Sequence, residues 1–190
     1  MAERRSMARR AREDLRAEAL DVAEQMVVSD GPRALSMREL ATRTGVSRQT
    51  LYSEFGDRAG VASALVLRAT DGFLSRMEAA LVGADDLYAA WSATVGAALS
   101  EAGENPLVKA LLTGEAELFG ADSGPMVDAA VERAVVNLAR HWPDLDPADV
   151  ALAAETATRL TVSHVVLPRH PPDVVAEQVA TVVVRILRRG

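Results

Sequence analysis

Apolar residues recur along this chain at the spacing of a helix face, and nowhere do they alternate with polar ones as a half-buried strand requires. Leu15, Ala19, Val22 and Met26 step by four, three and four, which predicts a helix over about 8–29, ended by Gly31-Pro32. Ser36 is followed three residues later by Glu39, a capping-box pattern that opens a short helix. Gly45 closes that helix with a tight turn, because glycine accepts the left-handed backbone such a turn needs. Ser47 caps the next short helix, to about 53, and Asp57 caps a longer one, to about 81. Further helices are expected over about 85–103, from Asn105-Pro106 to about 113, and over 125–141 after a loop at 120–124. Asp146-Pro147 opens another that stops near Pro168, and Pro171-Pro172 opens the last, to about 188. The expectation is an all-α chain of nine helices without internal repeats.

Composition narrows the class. The chain has 190 residues, 49% hydrophobic and 25% charged, which is the balance of a globular protein. Aromatics are only 4%, so the core has to be built from Ala, Val, Leu and Met. There is no Cys, which excludes disulfides, thiolate metal sites and Cys nucleophiles. Met1 to Arg16 is Arg-rich and reaches no apolar stretch, so no secretory leader is expected. No window supplies the roughly 18 apolar residues of a membrane span. A cytoplasmic location is the expectation.

A net charge of −6 argues at first against nucleic acid. Its distribution reverses that impression: residues 1–60 carry +1 and residues 61–190 carry −7. Arg4, Arg5, Arg9, Arg10, Arg12 and Arg16 form a basic start ahead of an acidic body. A nucleic-acid footprint, if present, belongs at that end.

The stretch Leu40 to Tyr52 meets the needs of a helix-turn-helix. Ala41 is small enough for two helices to cross closely, Gly45 supplies the turn four positions later, and Val46 and Leu51 lock the second helix down. At 100° per residue, Arg48, Gln49 and Tyr52 fall on one arc of that second helix. Arg reads guanine O6 and N7, Gln can read adenine, and the hydroxyls of Ser47, Thr50 and Tyr52 suit phosphate oxygens. A bare Ala-x-x-x-Gly pattern also fits an ordinary helical hairpin.

The longer run Gly45-Val46-Ser47-Arg48-Gln49-Thr50-Leu51-Tyr52-Ser53-Glu54-Phe55-Gly56-Asp57-Arg58 resembles the signature of the TetR family of transcriptional regulators. The resemblance covers roughly residues 8–65. It implies a DNA-binding domain over 1–56 and a larger helical ligand-binding and dimerisation domain over 57–190. It implies base contacts from Arg38, Arg48 and Gln49, and phosphate contacts from Ser36, Thr50, Tyr52 and Arg58. Phe55 would wedge the motif against the first helix and the start of the fourth, the helix through which ligand binding acts in the family. Glu54 departs from the pattern, standing where many members carry His. Its carboxylate would repel phosphate, so it is not a contact, and Arg58 or Arg48 could pair with it.

The remainder of the chain matches no catalytic pattern. His141, His164 and His170 are scattered, and no His-Glu-x-x-His, phosphate-binding loop or Gly-x-Ser-x-Gly occurs. No enzyme activity, cofactor or metal is expected. Candidate contacts for a small apolar effector are Met77, Tyr88, Trp91, Phe119, Asn137, Thr161 and His164, though each is more readily read as plain core. In the last helix Val175, Val179, Val182 and Ile186 share a face, and Ala153, Ala157 and Leu160 share one in the helix before it. Burial inside one chain satisfies both faces. A palindromic operator needs a two-fold dimer, which favours an interface between copies. The expected partners are double-stranded DNA, a small-molecule effector and a second copy of the chain. An activator or architectural protein without an effector shares every N-terminal feature.

Overall fold

In a computed structural model of the protein, residues 2–113 and 124–188 are described. They divide into two compact units, one running through Arg68 and the other from Ala69 onward.

The first unit holds α1 (Ala2–Asp30), a 3-10 turn (Pro32–Ala34), α2 (Met37–Thr44), α3 (Arg48–Phe55) and the opening of α4 (Arg58–Val82). Helix α1 begins six residues before the periodic stripe, because nothing from Ala2 to Asp30 breaks a helix and Ala, Arg, Glu and Leu favour one. Gly31 ends it with φ 82°. Ser36 Oγ accepts the Glu39 backbone N–H at 3.1 Å, capping α2. The reciprocal half of the expected box is replaced: the Glu39 carboxylate takes Arg43 Nε at 2.9 Å, and the same guanidinium reaches Asp30 at 2.9 Å. A cation one turn away competes successfully for that carboxylate.

Gly45, at φ 68° and ψ 7°, makes the turn between α2 and α3. Ser47 Oγ caps α3 by accepting Thr50 N–H at 3.1 Å. Leu40 and Leu51 are fully buried, holding the two helices together. Each such side chain contributes roughly 1.5–3 kcal/mol by leaving water. Asp57 caps α4 by accepting Gly60 N–H at 2.9 Å. At Gly60 a Cβ would sit 1.8 Å from the Phe55 carbonyl oxygen, so only glycine fits this corner. Val61 and Leu65 are sealed, and Arg68 reaches Asp21 and Glu24 of α1 at 2.6 Å each. These contacts carry the first unit past the boundary at 56 that the sequence suggests.

The second unit holds the rest of α4 with α5 (Leu87–Glu104), α6 (Pro106–Thr113), α7 (Gly124–His141), α8 (Pro147–Val166) and α9 (Pro172–Leu187). Side-chain caps start three of them. Asp86 accepts Ala89 N–H at 2.8 Å, Asn105 accepts Leu107 N–H at 3.0 Å, and Asp146 accepts Ala148 N–H at 2.8 Å. Helix α9 lies along α5 and α8, and α8 also packs on α7. Small side chains (Ala90, Ala153, Ala154, Ala157, Ala176 and Ala180) line this seam with Val175, Val179 and Val183, which is how a chain poor in aromatics closes its core. The described residues contain nine α-helices and no strand, and no helix among them is long and apolar enough to cross a membrane.

Candidate nucleic-acid interface and ligand cavity

Helix α3 presents one apolar and one polar side. Leu51 and Phe55, one turn apart, are buried, while Arg48, Gln49, Thr50 and Tyr52 are exposed. Arg38 of α2 and Ser47 are exposed as well, and Ser36 is half-buried. The capping hydroxyls of Ser36 and Ser47 accept from backbone, and Ser47 Oγ also lies 2.8 Å from Thr50 Oγ1. Ser36 keeps a hydroxyl proton that a phosphate oxygen can receive, as does one of Ser47 and Thr50, whose shared hydrogen bond uses the other's.

Charge pairing sharpens this surface. Arg12, Arg16, Arg43 and Arg68 are each engaged by carboxylates of the same unit. Among the described residues Arg38 and Arg48 form no ion pair, so the two guanidiniums on the paired helices stay available to a polyanion. Arg58 has a structural duty that its sequence position does not announce. Its Nε donates to the Leu35 carbonyl at 2.7 Å, tying the start of α4 to the approach to α2.

Glu54 pairs with neither Arg48 nor Arg58, the partners its sequence neighbourhood suggests. It receives Arg12 Nε in a short ion pair and Arg16 Nη1 at 3.0 Å, and its side chain is only 9% exposed. The Arg16 guanidinium also lies over the Phe55 ring, 4.9 Å from its centre. The end of α3 is thereby clamped to α1. Burial pushes the Glu54 pKa up. Hydrogen bonds and charge from Arg12 and Arg16 outweigh that and hold the carboxyl below its ordinary range. Partners 38 and 42 residues away leave no local sequence signal.

Within the second unit, α4 to α8 surround a void of about 720 Å³ counting its mouth. Of the expected effector contacts, Met77, Trp91, Asn137 and Thr161 line it, joined by Phe73, Leu74, Leu81, Val95, Leu112, Met126 and others. Tyr88 does not: it sits in the first turn of α5 and is 40% exposed, three residues before Trp91 turns inward. His164 instead borders a second void, of about 570 Å³, with Lys109 and His170. Phe119 and most of the loop expected at 120–124 lie outside the described residues.

Polar groups at the first of these voids are few. Thr94, Thr158 and Thr161 each donate their hydroxyl proton to the carbonyl four residues back, at 2.8 Å. Asn137 Nδ2 donates to the Arg133 carbonyl at 2.9 Å. At the rim, Arg133 binds Asp71 at 2.5 Å and approaches Glu78 at 4.0 Å. The Trp91 indole nitrogen is buried and meets no acceptor among the described residues. Sequence patterning missed the Arg133, Asp71 and Glu78 group, whose members are spread over α4 and α7.

Comparison with known proteins bears on both units. Residues 19–65 match the family model of bacterial regulatory proteins of the tetR family, and residues 86–185, more than half of the chain, match the bacterial tetracyclin repressor C-terminal domain. The chain belongs to the TetR family of transcriptional regulators. It is 28% identical over 181 residues to the HTH-type transcriptional regulator AlkX of Mycobacterium tuberculosis, covering 92% of this chain and 86% of that one. The crystal structure of the TetR-family repressor AlkX from Dietzia sp. strain DQ12-45-1b superposes with a TM-score of 0.70 at 28% identity, covering 92% and 95% of the two chains. A TetR-family regulator from Pectobacterium atrosepticum also reaches 0.70, at 20% identity and 95% coverage of each, and shares the fold. TetR-family regulators are DNA-binding proteins and not enzymes, and the fold implies operator binding and dimerisation.

Of the residues expected from the sequence at a dimer interface, Ala153, Ala157, Val175 and Val179 are at most 2% exposed within a single chain and pack in its own core. Leu160 and Ile186 are half-buried against that core, and Val182 is exposed. Periodicity finds a buried stripe without telling whose interior it faces. The apolar side chains that α8, α9 and the turn between them turn outward are Leu152, Val166, Leu167, Val174 and Val182.

Proposed function

We propose that this TetR-family regulator is a repressor that binds a palindromic operator as a homodimer and lets go when a small, mostly apolar effector enters the α4–α8 void. The void carries the reading: it is lined chiefly by Phe, Leu, Met, Val and Ala side chains with a few polar groups among them, the make-up of a small-molecule site. The Dietzia repressor's implication in biodegradation of n-alkanes supports an effector of hydrocarbon character. Arg38, Arg48 and Gln49 serve as base readers, with Ser36, Ser47, Thr50, Tyr52 and Arg58 on the phosphates. Leu152, Val174 and Val182 belong to the face that meets the second copy.

The test is a gel shift with duplex DNA from immediately upstream of the gene, titrated with alkanes and their oxidised derivatives. Retardation of that DNA, and release by at least one compound, is expected. DNA retained in the presence of every compound, with no thermal stabilisation by any of them, refutes the effector half of the proposal. Failure to retard the DNA at low salt refutes the operator half.

A further inference from the structure

Trp91 lines the void, is 3% exposed, and leaves its indole N–H without an acceptor among the described residues. A buried donor without a partner carries a desolvation cost that folded proteins rarely leave standing. No neighbouring oxygen of the described residues lies within hydrogen-bond reach of it. The hydroxyls of Thr94, Thr158 and Thr161, whose protons go to helical carbonyls, present only lone pairs to anything in the void. Among the described residues, the two charged side chains lining the void, Glu78 and Arg133, are of opposite sign, and Arg133 is already engaged by Asp71 outside the lining. The threonine lone pairs and an engaged cation offer little to an anionic headgroup.

We infer that the effector is an uncharged molecule with an apolar body and one oxygen acceptor, a ketone, ester, aldehyde or alcohol, that takes the Trp91 N–H. Neither a bare hydrocarbon nor a carboxylate fits as well: the first leaves the donor unpaired, and the second brings a charge whose cationic partner at the void, Arg133, is already bound to Asp71. This rests on the void being the effector site, and it adds the chemistry of the headgroup.

The test uses the full-length protein and three probes of equal chain length: octane, 2-octanone and octanoate. Isothermal titration or thermal shift ranks their binding in wild type and in Trp91→Phe, which keeps an aromatic ring and removes the donor. Octanone is expected to bind about tenfold more tightly than octane in wild type, with that ratio collapsing towards one in the variant. A Trp142→Phe variant leaves Trp91 as the single indole, so native Trp91 can be followed directly. Its emission should shift to the red with octanone and not with octane.

Octanoate binding more tightly than octanone overturns the inference. So does an octanone-to-octane ratio that Trp91→Phe leaves unchanged, or octanone binding without any change in Trp91 emission. If all three probes bind alike, the apolar effector site survives and the headgroup inference falls. If none binds, both fall. Acceptor-dependent binding that leaves DNA retained upholds the inference and removes effector-driven release.

Discussion

Replacing Glu54 with Gln tests the clamp between α3 and α1 in two opposite directions at once. Glu54 accepts two charge-assisted hydrogen bonds, from Arg12 and Arg16, while only 9% exposed. Hydrogen bonds to charged groups contribute about 1.5–3 kcal/mol each where both partners are buried. Here Arg12 is 68% and Arg16 41% exposed, so each recovers water when released, and Gln keeps one carbonyl acceptor. The net loss should be about 1–2 kcal/mol, and a unit of this size shifts its Tm by about 4–8 °C per kcal/mol. Circular dichroism melts should therefore show the first unit unfolding earlier. The Glu54 pKa lies below its unfolded value, so its contribution is complete above about pH 4.3 and disappears as pH falls through the lowered pKa. The gap between wild type and variant should close on acidification through that window. DNA binding should move the other way. Two carboxylates per dimer are lost and four guanidiniums, Arg12 and Arg16 of each protomer, are freed, so the plot of log affinity against log salt should steepen, by up to about 3.6 if all four reach phosphates. A variant as stable as wild type at pH 7, with an unchanged salt slope, refutes the clamp.

Gly60→Ala should cost about 3 kcal/mol or more and abolish DNA retention, because its Cβ would meet the Phe55 carbonyl; thermal melts and gel shifts report both. Arg48→Ala should cost about 1–3 kcal/mol and relax preference at one operator position, read by binding to a set of single-base operator variants. Arg58→Ala should weaken all sequences alike and also lower the Tm, since the Leu35 tie goes with the charge. Leu152→Glu with Val182→Glu should give a folded monomer by light scattering, whereas Val179→Glu should unfold the second unit. A monomeric, folded Val179→Glu protein would return the interface to the inner stripe.

Helix positions were legible because their starts are written in single side chains. Ser36, Ser47, Asp57, Asp86, Asn105 and Asp146 each accept a backbone N–H where the pattern suggested or within a residue of it. The exposed arc of Arg48, Gln49 and Tyr52 was legible for a similar reason, since one helix turn fixes it. What escaped was long-range or ambiguous in sign. Glu54 finds its cations across 38 and 42 residues, and Gly60 is demanded by a carbonyl that only the folded corner brings near. Val179 and Val182 are both apolar on one helix, yet one faces inward and the other out. Of the effector candidates, four line the void, while Tyr88 is 40% exposed and His164 borders the second void, because an apolar neighbourhood in sequence does not fix direction.

The alanine seam joining α5, α8 and α9 has a consequence for how such a regulator diversifies. A larger residue at Ala153 or Ala180, both fully buried, would prise the helices apart. The opposite wall of the void is made of Phe73, Leu74, Met77, Met126 and Val127, side chains whose size and shape can change while the seam stays shut. If the void is the effector site proposed above, inherited changes can therefore retune what the protein senses along α4 and α7 and leave its frame untouched.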